Sequence, residues 1–383
     1  MKPNFDLSNL ALQMACPNNE LLYDDKGMPS VMVKIPKFKI SDVIAGGSSS
    51  THPAFIVNGQ EVDAIYISKF LNIVDNGRAY SLPGQDPAAS LNFDQAVQYC
   101  TSKGEGWHLM TNAEWAAIEL WCLKNGFIPN GNNYFGHDAK ESNYKAIPSM
   151  ARDSSGRVQR TATGTGPVSW YHDNTLAGIA DLKGDVWEWS GGFRTVYGEV
   201  QVLANNDAAD LDNPQSATSA HWKAIDATTG SLITPNGEGT TANSIKIDNV
   251  SGKIQYVTTI ANTKGAFNCK FKEITCASTI AAAAQEVLKA LGLLPTDTSA
   301  DLGADCQCYV NNAEAERSVC RGGSWINSAV GLFSFNGNND RSNVNINIGF
   351  RSALIYLLRS GTSRGTGSGQ TKGVRIHARG SSC

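Results

Sequence analysis

The side chains best suited to recognition chemistry lie between residues 326 and 348, where asparagine recurs at mostly alternate positions. Asparagine is a poor strand former and a poor core residue, because its amide needs hydrogen-bond partners and competes for those of the backbone. Burial therefore does not explain this composition, whereas a polar and adaptable contact face, of the kind that antibody loops present, does. The asparagines are Asn327, Asn336, Asn338, Asn339, Asn343, Asn345 and Asn347.

Two short motifs of different character border this stretch. Arg321-Gly322-Gly323-Ser324-Trp325 precedes it, and Gly349-Phe350-Arg351 follows it. Glycine permits tight turns, and a large aromatic side chain beside it is typical of a packed anchor. We therefore interpret the two flanks as fixed structure and the middle as interchangeable surface. An asparagine-rich and partly disordered loop is the alternative interpretation.

A second group of polar side chains is suited to binding a cation. Asp181, Asp185 and Glu188 are close in sequence, and carboxylate oxygens are the ligands that calcium prefers. Trp187 and Trp189 alternate with Glu188, which predicts a strand with one buried face. The alternative is a turn whose carboxylates are exposed and already satisfied.

The nine cysteines do not form a comparable metal-binding pattern. Cys306 and Cys308 are separated by one residue, whereas zinc knuckles usually have at least two between their cysteines. The six histidines are scattered along the chain. An odd number of cysteines without a signal sequence favours free and mostly buried thiols.

Composition and charge exclude some classes of partner. The 383 residues carry a net charge of −3, so we expect no nucleic-acid partner, which would require a basic surface. The apolar runs are short, which predicts no insertion into a membrane. The N-terminus lacks a basic region followed by an apolar core, so we expect synthesis in the cytoplasm without a signal peptide. Later incorporation into a virion or display on a surface stays open.

The pattern along the chain predicts one main domain with an insertion. Helices are expected from Asn92 to Cys100 and after Thr111, where Glu114 completes a capping box. Apolar, partly alternating runs at 31–36 and 62–68 predict strands. We divide the chain into an N-terminal arm (1–30), a main domain (31–355) with an insertion at about 195–315, and a Gly/Ser-rich tail (356–383). The segment 321–351 lies within the main domain as the predicted ligand-binding region.

Four motifs, in this order, resemble the formylglycine-generating-enzyme type of C-type lectin fold. They are the helix ending Ala96-Val97-Gln98-Tyr99-Cys100, the stretch Trp107 to Trp115, the stretch Gly184-Asp185-Val186-Trp187-Glu188-Trp189, and the closing motif at 321–325 and 349–351. The resemblance implies an α+β fold with short antiparallel strands, few helices and much irregular structure. It also implies calcium near Asp185 and Glu188, and we expect no other cofactor.

The sequence departs from that family at the positions that matter for catalysis. The family's enzymes have two copper-binding cysteines shortly after Gly-Gly-Ser-Trp, and the matching positions here are Asn327 and Leu332. Neither side chain can supply a thiolate. The related thiol-oxygenating enzymes add an iron site of histidines, and no such cluster is present in the sequence. The resemblance therefore predicts a protein that is not an enzyme.

The segment resembles more closely the variable proteins of diversity-generating retroelements. In these systems, errors at template adenines change AAY codons to many residues but never to Lys, Glu, Gln, Met or Trp. Residues 326–348 contain none of those five. The resemblance implies that the following residues are variable and contact the ligand: Ile326, Asn327, Ala329, Val330, Leu332, Ser334, Asn336, Asn338, Asn339, Asp340, Asn343, Val344, Asn345, Ile346 and Asn347.

The other residues of the segment would then be its constant support. These are Gly323, Ser324, Trp325, Gly331, Phe333, Phe335, Arg341, Ser342, Gly349, Phe350 and Arg351. The expected function is binding of a protein or glycan on a target cell surface, as a phage tail component or a surface protein. A formylglycine-type oxidase and a structural tail component with a fixed partner are the alternatives. The sequence is compatible with a homo-oligomer.

Overall fold

The computed structural model describes residues 6–357, which form five α-helices and 21 mostly short strands. Most strand pairs are antiparallel and long irregular segments connect them, which confirms the predicted α+β class. The helices are α1 (Leu7–Ala15), α2 (Ile40–Val43), α3 (Phe93–Thr101), α4 (Asn112–Lys124) and α5 (Ala282–Ala290). The strands are β1 (Asn19–Tyr23), β2 (Pro29–Pro36), β3 (Ile56–Val57), β4 (Gln60–Glu61), β5 (Ala64–Ser68), β6 (Asn72–Asp75), β7 (Arg78–Ser81), β8 (Trp107–Leu109), β9 (Trp187–Val196), β10 (Glu199–Val202), β11 (Lys223–Ile225), β12 (Leu232–Ile233), β13 (Lys246–Val250), β14 (Lys253–Val257), β15 (Ala266–Lys270), β16 (Thr275–Cys276), β17 (Gln307–Asn311), β18 (Arg317–Arg321), β19 (Phe335–Asn339), β20 (Ile348–Phe350) and β21 (Ser352–Leu354).

The smaller of the two main sheets joins the two ends of the described chain. Its strand order is β1-β2-β5-β21-β8. Residues 19–23 of the predicted N-terminal arm form the edge strand β1. Strand β21 pairs with both β5 and β8, so the chain returns to the centre of the sheet directly after Arg351. Residues 1–5 of the arm and 358–383 of the tail lie outside the described residues.

The larger sheet holds the segment 321–351. Its main path is β15-β17-β19-β18-β9-β10-β13-β14-β16, and β20 pairs in parallel with β9. The strands from β10 to β17, which belong to the predicted insertion, extend this sheet. Strand β19 lies between β17 and β18, so the asparagine-rich stretch is held in its middle as well as at its two ends.

The two predicted helices near residues 92 and 111 are confirmed, with their caps. The Asn92 side chain accepts from the amide of Gln95, and the Thr111 hydroxyl accepts from the amide of Glu114. In α4 the apolar residues Trp115, Ile118, Trp121 and Cys122 recur at helical spacing, which by itself predicts one apolar face, but ten of the thirteen residues of the helix are buried. Polar residues on the remaining face find buried partners instead, and Glu119 forms an ion pair with Arg321.

Strand β9 also differs from the prediction of one buried face. Trp187, Glu188 and Trp189 are all buried, because the sheet is covered on both sides. Among the described residues, no helix is long and apolar enough to cross a lipid bilayer.

Candidate functional site

Two glycines with positive φ begin the segment 321–351. Gly322 has φ +83 and Gly323 has φ +94, a conformation that residues with a side chain rarely adopt. A Cβ atom at Gly323 would lie 2.1 Å from the Val330 side chain, and one at Gly322 would lie 2.6 Å from the Leu182 carbonyl oxygen. The turn into the segment therefore requires glycine at both positions.

Trp325 anchors the chain immediately after this turn. Its ring is 2% exposed and packs in a cluster with Leu71 and Val186. Its amide donates to the Asp185 carbonyl oxygen at 3.2 Å, and its own carbonyl oxygen accepts from the amide of Phe135 at 2.8 Å. The backbone at the start of the segment is thus held by two other loops of the molecule.

The stretch from Val330 to Phe335 is buried, which corrects part of the sequence interpretation. Val330, Leu332 and Ser334 were expected to contact a ligand, yet each is fully buried. The Leu332 carbonyl oxygen accepts from the Trp115 indole at 3.0 Å, and the Ser334 hydroxyl accepts from the amide of Gly331 at 2.9 Å. These three side chains support the segment in this conformation and cannot reach a ligand.

The other twelve predicted contact residues are exposed or half-buried. Six are exposed, namely Ile326, Asn338, Asp340, Val344, Asn345 and Ile346. Six are half-buried, namely Asn327, Ala329, Asn336, Asn339, Asn343 and Asn347. We call the surface formed by residues 326–329, 336–340 and 343–347 the asparagine-rich face.

Hydrogen bonds join the parts of this face to one another. The Asn347 amide donates to the Ser324 hydroxyl at 3.1 Å, which brings the end of the segment beside its beginning. Asn327 donates to the Tyr309 hydroxyl at 2.7 Å, and Tyr309 lies opposite Asn336 in the sheet. The face is therefore one continuous surface.

The backbone of residues 341–346 is tied to the rest of the molecule. The carbonyl oxygen of Asn345 accepts from the amide of Ser90 at 3.0 Å, and that of Ile346 accepts from the Arg160 guanidinium at 3.0 Å. The carbonyl oxygen of Arg341 accepts from the amide of Phe93 at 3.2 Å. Bonds to the backbone are available whatever the side chain is, so this geometry tolerates substitution of the side chains.

Arg341 makes four hydrogen bonds to residues outside the segment. Its guanidinium contacts the Glu316 carboxylate at 2.9 and 3.1 Å, Asp94 at 2.7 Å and the Gln215 carbonyl oxygen at 2.8 Å. Ser342, which we placed with the constant residues, is exposed and donates to Asp340 at 2.6 Å. The remaining predicted supports, from Gly323 to Arg351, are buried.

Asp185 and Glu188 do not fit a calcium ion together. Both oxygens of Glu188 accept from the Arg351 guanidinium at 3.0 Å, so a cation already neutralises this carboxylate. Asp185 accepts through Oδ1 from Thr161 and Asn132, and its buried Oδ2 has no protein partner. Burial raises the pKa of Asp185 to about 7. Within residues 6–357, no cluster of three or more His, Cys, Asp or Glu side chains could hold a metal ion.

The position of the copper site in formylglycine-type enzymes has no pair of accessible thiols here. Leu332 is buried, and Asn327 bonds to Tyr309. Cys306 and Cys308 lie beneath the segment, but burial raises the pKa of Cys306 to about 12 and that of Cys308 well above its ordinary value. Buried neutral thiols are poor ligands and poor nucleophiles. These residues do not fit the copper chemistry of that family.

Several residues that position the site could not be found from the sequence. Asn133 donates to the Ser328 and Val330 carbonyl oxygens at 3.2 and 3.0 Å, and Arg160 reaches Ile346 across 186 positions of the chain. The cluster of asparagines near residue 130 is the only local signal for Asn133. For Arg160 and Tyr309 there is none.

The solved structures that are similar to this chain have low sequence identity to it and low TM-scores. They include the U1 variant of Major Tropism Determinant (10% identity, TM-score 0.29, covering 85% of this chain and 63% of that one). Variable protein 1 of Treponema denticola is 12% identical with a TM-score of 0.31, covering 89% of this chain and all of that one. PvdO from Pseudomonas aeruginosa is 12% identical with a TM-score of 0.30, covering 88% of this chain and 98% of that one. Likenesses this weak carry no argument about function.

The sequence comparisons are more decisive about family. The formylglycine-generating enzyme of Mus musculus is 30% identical over 119 residues, which are 31% of this chain and 30% of that protein. The chain therefore matches less than a third of the length of this relative. The family model described as the sulfatase-modifying factor enzyme 1-like domain matches residues 12–258, and so ends before the segment 321–351. Since this match spans more than half of the chain, the protein belongs to the sulfatase-modifying factor enzyme 1-like domain family.

Proposed function

We propose that this chain is a ligand-binding protein whose asparagine-rich face is diversified by a retroelement. One observation carries the proposal: the backbone of 321–351 is held by buried anchors and by bonds to other loops, while twelve predicted variable side chains are exposed or half-buried. Such an arrangement separates folding from recognition. Because the segment is already ordered in the folded protein, little further conformational entropy is lost when a ligand binds.

The ligand is a protein or glycan on the surface of a target cell, and the chain is carried on a phage tail or displayed on a bacterial surface. Twelve positions are about half the number of residues on one side of a standard protein interface. Residues outside the segment would then contribute the rest of the contact. We infer binding without catalysis, since the resemblance to formylglycine-type enzymes places Asn327 and Leu332 at the positions of their catalytic cysteines.

The DNA beside the gene tests the retroelement. We expect a near-copy of the codons for residues 321–351, with adenines at the variable positions, next to a reverse transcriptase gene. Genes from related isolates should differ mainly at the codons of the twelve positions. Differences spread evenly along the gene, with no such copy, would rule the proposal out.

Membership of the family favours one other function, a formylglycine-type oxidase. Its test is aerobic incubation of the copper-supplemented protein with a peptide that contains cysteine. We expect no conversion of cysteine, because the two positions that would bind copper lack thiols. Turnover by the purified protein would replace the binding proposal with this one.

A further inference from the structure

A loop outside the segment 321–351 borders the asparagine-rich face. This flanking loop comprises residues 132–160. Asn133 bonds to the Ser328 and Val330 carbonyl oxygens, and Phe135 bonds through its amide to Trp325. At the other end, Arg160 donates to Ile346. The flanking loop is therefore fastened to both the beginning and the end of the face.

Two tyrosines of the flanking loop, which borders the face, are exposed. Tyr134 is 44% exposed and immediately precedes Phe135, whose amide bonds to Trp325. Tyr144 is 51% exposed and packs on the backbone of Gly136, where a Cβ atom would lie 2.8 Å from its ring. Exposed Ile326 and Ile346 lie on the face near the points where the loop is attached. The flanking loop therefore adds two exposed aromatic rings to the exposed aliphatic side chains of the face.

The tyrosine rings are held in place before any ligand binds. The ring of Tyr134 contacts those of Phe135 and His137 edge-on, with centroids 5.4 and 5.5 Å apart. The Arg152 guanidinium lies 4.9 Å from the centre of the Tyr144 ring. Phe135 itself has φ +47, an unfavourable conformation for a large residue that its packing and its bond to Trp325 maintain. Side chains that are already ordered lose less entropy on binding.

We propose that Tyr134 and Tyr144 are constant ligand-contact residues, shared by all variants of the face, and that the ligand is a protein. This inference rests on the proposed function. Tyrosine is enriched among the residues that dominate protein interfaces. The exposed aliphatic side chains Ile326, Val344 and Ile346 pack well against apolar groups of a protein, whereas the hydroxyl-rich surface of a glycan offers them few.

A display experiment with the full-length chain tests this inference. Two libraries are randomised at the twelve exposed and half-buried positions of the face, one with the native flanking loop and one carrying Tyr134→Ser and Tyr144→Ser. Both are selected against lysozyme and against dextran as the protein and glycan probes. We expect lysozyme binders from the native-loop library and far fewer from the other. In the selected binders, each single Tyr→Ser change should weaken lysozyme affinity by about 10-fold or more.

The control is Tyr23→Ser, which removes a similarly exposed tyrosine from β1, and it should leave affinity unchanged. Thermal unfolding of each variant identifies any loss of folding. If a serine variant does not fold, Tyr134→Leu or Tyr144→Leu, which keeps a large apolar side chain, is used in its place. Binders that tolerate both tyrosine changes would overturn the flanking-loop inference and leave the proposed function intact. Binders to dextran alone would overturn the protein ligand. Failure to obtain any binder from the native-loop library would instead count against the proposed function.

Discussion

Substitutions at Trp325 and Asn345 test whether the residues that stabilise the segment are distinct from those that form its exposed surface. Trp325 is 2% exposed among apolar side chains, so Trp325→Ala removes about 150 Å² of buried surface, which at about 25 cal/mol per Å² corresponds to about 4 kcal/mol. The range for a large aromatic residue lost to a cavity, about 3–5 kcal/mol, agrees. Asn345 is exposed, and its bond to Ser90 uses the backbone carbonyl, so Asn345→Ser should change stability by less than about 0.5 kcal/mol.

The assay is urea denaturation of the two variants and the parent, with equal slopes as the check on two-state unfolding. Leu332→Ala adds a test of the buried stretch and should cost about 2–5 kcal/mol, because this side chain is fully buried. Asn338 is a less suitable control, since its side-chain oxygen accepts from Asn311 at 3.1 Å. If Asn345→Ser destabilised the protein as much as Trp325→Ala, the asparagine-rich stretch would be structural and the separation argued above would be refuted.

Three further predictions concern charged groups. Arg341→Gln should lower the free energy of unfolding by about 1–3 kcal/mol, since it leaves the half-buried Glu316 carboxylate with fewer partners; denaturation measures this, and an unchanged midpoint would contradict it. Chelation of calcium should leave the thermal midpoint unchanged, because Arg351 already neutralises Glu188; a higher midpoint in millimolar calcium than in chelator would show a bound ion. The pKa of Asp185 is raised to about 7 by burial, so the folded protein binds this proton more tightly than the unfolded chain, and the Asp185 contribution to stability should fall as pH rises from about 4 to 7 and be constant above. Asp185→Asn should flatten that part of the pH profile, and an identical profile in the variant would refute the assignment.

Local chemistry in the sequence was enough for the elements that depend on near neighbours. The caps of α3 and α4 follow from side chains that bond to amides three residues away, so Asn92 and Thr111 could be recognised directly. The strands β2 and β5 follow from short apolar runs. The Gly-Gly-Ser-Trp motif predicted a tight turn and a packed anchor, and the structure has both.

Periodicity failed where several layers of the molecule meet. The helical spacing of apolar residues in α4 and the alternation in β9 each predict one buried face, but most residues of both elements are buried, including the polar residues Glu119 and Glu188. Their partners, Arg321 and Arg351, lie 202 and 163 positions away in the chain. A pattern that reflects only neighbouring residues cannot show that a buried charge has a distant partner.

The sequence by itself determined which segment is unusual, where its two anchors lie, and that its middle is composed for polar contact. Only the tertiary structure decided which of its side chains are available. Val330, Leu332 and Ser334 have the same kind of position in the sequence as their exposed neighbours, but α4 and the turn glycines pack against them. The structure also placed the flanking loop beside the face. Both results depend on contacts between residues far apart in the chain, which are formed by packing rather than by local preference.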